Sequence, residues 1–154
     1  MKVLDIGCDN RKIKGAIGID IDPDSDADII VDAHDIRRYF HPKTIDVVHA
    51  HQVIEHCEKP FVVLVGIHYV LKDDGVLWLS IPNIRKLMRL FFYLRGKKIN
   101  QTKGHIYAWD EDTLRQLVSR CGFKWLGSWF VDDNHKPRSR LFANRFLVKL
   151  GKQL

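Results

Sequence analysis

Two short apolar runs near the N-terminus bracket a glycine turn and end in a carboxylate. Val3-Leu4-Asp5-Ile6-Gly7-Cys8 followed by Ala16-Ile17-Gly18-Ile19-Asp20 reads as strand, turn and second strand. An acid at the end of the second strand is placed to accept both hydroxyls of an adenosine ribose, and Gly7 lets the backbone approach a ligand closely. A turn aspartate that only solvates its own loop has the same signature, so on spacing alone Asp20 stays open between the two readings. Asp32 ends a third run, and His49, Ala50 and His51 follow Val48 in a fourth. His51, Glu55 and His56 make an H-x-x-x-E-H cluster. It lacks the H-E-x-x-H spacing that puts two histidines on one helix face, and no third ligand is evident, so no metal is expected. A general base is the better role for His51 or His56, and the plain reading of Glu55 and His56 is that they cap the start of the next helix.

The elements that must position these residues alternate in type. Runs that read as buried strands are Val3 to Ile6, Ala16 to Ile19, Asp28 to Val31, Asp46 to Ala50 and Val76 to Ile81. Pro60 opens a helix with Leu64, Ile67, His68 and Leu71 on one face, closed by a turn at Lys72 to Gly75. Asp110 is the N-cap of another, with Leu114, Leu117, Val118 and Cys121 at helical spacing and a stop at Gly122. Phe123 to Val131, a polar loop Asp132 to Arg140 and Leu141 to Lys149 read as a terminal antiparallel hairpin at the sheet edge. Apolar strands separated by helices or long loops indicate an α/β, doubly wound, mostly parallel sheet covered on both faces, in which ligands bind beyond the carboxyl ends of the strands.

The 154 residues fit one domain, residues 1–154, and no repeat or low-complexity tract divides them. Residues 1–83 carry 9 basic and 14 acidic side chains, whereas 84–154 carry 16 and 5, so a uniform basic coat is excluded and two faces with different tasks are expected. Three cysteines, Cys8, Cys57 and Cys121, without C-x-x-C spacing argue against a disulfide framework and a structural zinc. Asp5 interrupts any signal-peptide apolar region and no run approaches the ~20 residues of a membrane span, so a cytoplasmic protein is expected.

Arg85 to Lys103 holds seven basic side chains and no acidic one, with Ile84, Leu87, Met88 and Phe91 at helical spacing. Such a helix covers a pocket with a solvated basic face or lies on an anionic membrane, and it also suits a dimer surface. Trp109, Trp125 and Trp129 fall where core packing explains them, and no nucleic-acid motif appears, so nucleic acid is not the expected partner.

Six segments in order resemble one family: residues 3–8, 18–20, 31–36, 45–56, 71–83 and Gly104-His105-Ile106-Tyr107-Ala108-Trp109. Together they are similar to class I S-adenosylmethionine-dependent methyltransferases of the small type 11 branch, over residues 3 to about 126. The resemblance implies a seven-stranded Rossmann-like sheet and S-adenosyl-L-methionine as cofactor, with S-adenosyl-L-homocysteine as product. Asp5, Gly7 and Cys8 would lie at its amino-acid end, Asp20 and Ile21 at the ribose, Asp32 with the backbone of Ala33 at the adenine, and His49 to His51 near the sulfonium. It further implies that residues 84–109 are a substrate-covering insertion, with Arg85, Arg89, His105 and Tyr107 facing a small-molecule or lipid-linked methyl acceptor. Peripheral membrane contact through 84–104 and a homodimer are compatible with it.

The chain departs from the family at Asp9, where glycine is usual, and in the nine residues Gly7 to Gly15, fewer than the ~10 to 12 of a helical crossover. A first helix of one turn or none is expected. The sequence also opens directly on its first strand, so weak cofactor binding, or a lid from a second subunit, is compatible with it. A non-catalytic, partner-binding relative is the alternative these departures suggest. A nicotinamide-dependent oxidoreductase is disfavoured, because no G-x-G-x-x-G follows the first strand.

Overall fold

The computed structural model describes residues 1–84, 94–96 and 104–153. Seven strands form one sheet: β1 (Val3–Ile6), β2 (Ile17–Asp20), β3 (Ile29–Ile30), β4 (Ile45–His51), β5 (Leu71–Pro82), β6 (Phe123–Val131) and β7 (Arg145–Lys152). Their order is β3-β2-β1-β4-β5-β7-β6. Pairs from β3 through β5 are parallel, and β7 runs antiparallel to both β5 and β6. This is the expected mostly parallel α/β sheet with its C-terminal antiparallel hairpin. Within the hairpin β7 inserts beside β5 and leaves β6 at the edge. The strand order reverses at β1 and β4, which makes their carboxyl ends the natural place for a ligand.

The described helices are a single 3₁₀ turn, Ala33–Asp35, running into α1 (Ile36–Tyr39), then α2 (Pro60–Val70) and α3 (Glu111–Arg120). No helix connects β1 to β2, as the short crossover required. Pro60 occupies the first turn of α2, where a missing N–H costs nothing, but the N-cap is Lys59. Glu55 and His56 therefore lie upstream of the helix and do not cap it. Asp110 caps α3 as expected: its carboxylate accepts from the Thr113 N–H at 2.9 Å, and Thr113 Oγ1 accepts from the Asp110 N–H at 3.1 Å.

Two strand starts lie furthest from the sequence reading. Leu71 does not close α2 but opens β5, and the expected turn Lys72 to Gly75 is a bulge within that strand, since Ile45 pairs with Leu71 and Val47 already with Val76. Lys72 and Asp73 stay at the surface there through ion pairs to Asp46 at 2.6 Å and Lys43 at 2.8 Å. The last strand starts at Arg145, not Leu141. Residues 140–144 are held as a turn by the Asn83 side-chain amide, which donates to the carbonyls of Arg140 and Ala143 at 2.7 and 3.0 Å.

In-register neighbours share a face, so Leu4, Val48, Leu77 and Leu150 form one buried row and Ile6, Ala50, Leu79 and Val148 the next. Val63, Leu64 and Ile67 of α2, Ile36 of α1, and Leu114 and Val118 of α3 join the same cluster. The described helices thus pack on one face only, not on both. The opposite face carries Asp5, His49, Trp78 and Lys149 side by side, with His51, Ser80 and Leu147 in the next row.

Candidate functional site

A cavity of about 870 Å³ opens at the carboxyl ends of β1 and β2, and Gly7, Asp20, Ile21, Asp32 and Ala33 line it together with His56. Gly7 has φ +66, and a Cβ there would stand 2.6 Å from Val53 Cγ2, so glycine is required twice over. Asp9 also adopts a left-handed conformation, φ +46. Aspartate is one of the few L-residues that tolerates this, which explains how the turn closes without the family's usual glycine. The Asp9 N–H donates to Asp20 Oδ2 at 2.8 Å and the Asp22 N–H to Oδ1 at 3.0 Å. Asp20 therefore does turn duty, yet each oxygen retains a further acceptor site.

Asp32 caps the 3₁₀ turn, its Oδ1 accepting from the His34 N–H at 2.8 Å. Partial burial pushes its carboxyl up, but the hydrogen bonds from the His34 main chain and ring outweigh this and hold it below the ordinary carboxylate range. Ile21, 68% exposed, leaves an apolar side chain bare beside the cavity.

A second cavity, about 730 Å³, lies on the sheet face opposite the described helices and is lined by Asp5, Cys8, His49, His51, Trp78 and Arg145, among others. Gly7 and Gln52 line both cavities, which meet there. Asp5 is buried and accepts from the Ile13 N–H at 2.9 Å; burial pushes its carboxyl up despite that bond, with Asp20 adding repulsion. Burial raises the Cys8 thiol to about 11, so it is no nucleophile at neutral pH. His51 is the last residue of β4, with Nε2 3.2 Å from His49 Nδ1 and Nδ1 3.2 Å from Ser80 Oγ. Burial, then His49, His135 and Arg145, lower it to about 3, so it is neutral at pH 7. His135, whose ring centroid lies 4.9 Å from that of His51, and Trp78 are site residues that sequence reasoning missed; a histidine in a polar loop carries no signal of where the loop folds.

The Gly104-to-Trp109 segment is fastened to the loop after β4. The Glu55 carbonyl accepts from the Ile106 and Tyr107 N–H groups at 2.8 and 3.3 Å, and the Tyr107 hydroxyl donates to the Glu58 carbonyl at 3.0 Å. Tyr107 also stacks on Trp109, with ring centroids 5.3 Å apart. These bonds bring His105 edge-on to His56, 4.5 Å between centroids, and next to Glu55. Arg85 and Arg89 lie outside the described residues.

A family model for the methyltransferase domain matches residues 1–126. No curated protein matches the sequence. Among solved structures, an S-adenosylmethionine-dependent methyltransferase from Archaeoglobus fulgidus superposes with TM-score 0.74 at 20% identity, over 98% of this chain and 86% of that one. One from Methanosarcina mazei gives 0.69 at 18% identity, over 99% and 92%. One from Clostridium acetobutylicum gives 0.69 at 10%, over 99% and 84%. At such identities the likeness concerns the fold. The glycine turn, the strand-end carboxylates and the β3-β2-β1-β4-β5-β7-β6 sheet agree with the family match: the chain belongs to the methyltransferase-domain family and has the fold of S-adenosylmethionine-dependent methyltransferases.

Proposed function

We propose that the protein is an S-adenosylmethionine-dependent methyltransferase acting on a small-molecule or lipid-linked acceptor. The observation that carries this reading is that Gly7, Asp20, Ile21, Asp32 and Ala33 line one cavity, which joins a second at Gly7 and Gln52. In the first cavity Asp20 receives the ribose hydroxyls, Asp32 and the Ala33 backbone the adenine edge, and Ile21 its apolar face. Asp5, Gly7, Cys8 and His49 border the amino-acid end. The bound cofactor supplies an electrophilic methyl group on a sulfonium cation, which suits a groove edged by carboxylates.

The acceptor's place is where the two cavities join, at Gly7 and Gln52. Methyl transfer needs in-line alignment and exclusion of water more than covalent help. Neutral His51, at about 3, is a weak base, so it positions the acceptor through its neutral ring. Arg85, Arg89, His105 and Tyr107 belong to the acceptor side of this reading, together with a surface at 84–104 that suits an anionic membrane or a second copy. No described helix is long and apolar enough to cross a membrane.

The test is calorimetric titration with S-adenosylmethionine and S-adenosylhomocysteine, with NADH as control. Micromolar binding of both adenosyl compounds and none of NADH is expected. Asp20→Ala, checked for folding by its melting temperature, should weaken the binding about 10- to 100-fold, the value of hydrogen bonds to a charged group. Undiminished affinity in that variant ends the ribose assignment, and silence from both adenosyl compounds ends the cofactor reading.

A further inference from the structure

We propose that Glu55, His56 and His105 form a binding site for one divalent first-row transition-metal ion. One donor atom from each of the three lies within 4.8 Å of the others. Ligands ~2.1 Å from a shared tetrahedral ion stand ~3.4 Å apart, so the trio is a rotamer adjustment away from coordination. Such proximity alone is common, but Glu55 supplies an independent observation. Its side chain is fully buried, and neither carboxylate oxygen has a hydrogen-bond partner among the described residues. A buried carboxylate left this way costs several kcal/mol unless a proton or a cation compensates it. Burial pushes its carboxyl up to about 7, against the pull of its own main-chain N–H and of the Arg145 charge at a distance.

The main chain explains why the three converge. The Glu55 carbonyl, not its carboxylate, holds the strap through Ile106 and Tyr107, and the strap so fastened carries His105 next to the Glu55 side chain. Gly104, at φ +97, leaves room beside His56, since a Cβ there would stand 3.2 Å from His56 Nδ1. Two imidazole nitrogens and one carboxylate oxygen favour zinc, iron(II) or cobalt(II) over magnesium or calcium, which take oxygen ligands. Three protein ligands leave coordination positions for oxygen donors, and His56 lines the first cavity, so such donors reach the ion from there.

The experiment uses the full chain, stripped with EDTA and titrated with cobalt(II) followed by visible absorption and with zinc(II) by calorimetry. Neither cofactor nor acceptor is present, so the result stands apart from the methyltransferase reading. One equivalent of either metal should bind. Glu55→Gln and His105→Ala should each weaken binding by more than the ~10- to 100-fold typical of outer-shell partners, while His135→Ala, in the other cavity, binds as the parent does. His105→Ala alters only the strap, and far-UV circular dichroism verifies folding; it carries the test if the buried Glu55→Gln variant does not fold. Absence of uptake up to millimolar metal, or equal affinity in parent and His105→Ala, overturns the site.

Discussion

Gly7 shows how one residue ties fold to ligand. Its φ of +66 costs an L-residue about 1–2 kcal/mol, and Val53 Cγ2 occupies the space a Cβ needs. Gly7→Ala should therefore lower unfolding free energy by at least about 1–2 kcal/mol in urea and weaken S-adenosylmethionine binding, because the turn carrying the Asp9 N–H to Asp20 must shift. Full stability in that variant would show that the turn does not need its glycine. At this scale the position of Asp20 and Asp32 just past apolar runs, beside one cavity, was legible, while a loop-solvating aspartate carries the same signature. His105 was not. Its approach to Glu55 depends on main-chain bonds across about 50 positions of sequence, which neither spacing nor residue type encodes.

Among the elements, α3 is the one whose ends the sequence states most fully. Asp110, Thr113 and Gly122 place both caps, and Leu114 and Val118 turn its apolar stripe into the core. Asp110→Ala removes an N-cap worth about 1 kcal/mol and should lower the melting temperature by about 2–4 °C, measured by circular dichroism; no change would mean that packing alone holds the helix. β6 was read with its observed ends for a similar reason, bounded by Gly122 and Asp132. The start of β5 and the start of β7 were misread because their chemistry is not local. Lys72 to Gly75 look like a turn and join a strand through Asp46, Lys43 and Lys152, while Leu141 and Phe142 look like a strand and are taken into a turn by Asn83. No described helix packs on the sheet face of His49, His51 and Trp78; the helix-free β1–β2 crossover was legible, and the cavity on that face was not.

For the molecule as a whole, two buried groups set opposite pH slopes. His51, lowered from 6.5 to about 3, stabilises the fold fully above its unfolded value, and that stability is lost as pH falls from about 6.5 toward 3. Between pH 7 and 5 the loss is about 2 kcal/mol. Glu55, raised from 4.5 to about 7, behaves conversely: its contribution is complete below 4.5 and is lost as pH rises to 7, a change of about 2 kcal/mol over the same window with the other sign. The two nearly cancel. His49, His68 and His135, all lowered first by burial, add to the acid-side loss, whereas Asp28, Asp46 and Asp73, lowered by their partners from 3.8, contribute stability that is complete above that value and is lost only as pH falls below it, outside this window. Unfolding free energy of the parent should thus decline shallowly from pH 7 to 5. In Glu55→Gln the decline should steepen by about 2 kcal/mol, and in His51→Asn, which keeps an acceptor near Ser80, it should flatten or reverse. The measurement is urea unfolding at half-unit pH steps with EDTA present, because a bound metal would hold Glu55 as the anion and erase its slope. Parallel curves for the three proteins would show that neither group is buried as described, and a Glu55 slope that reappears only on removing zinc would tie the pH response to the same three side chains as the metal.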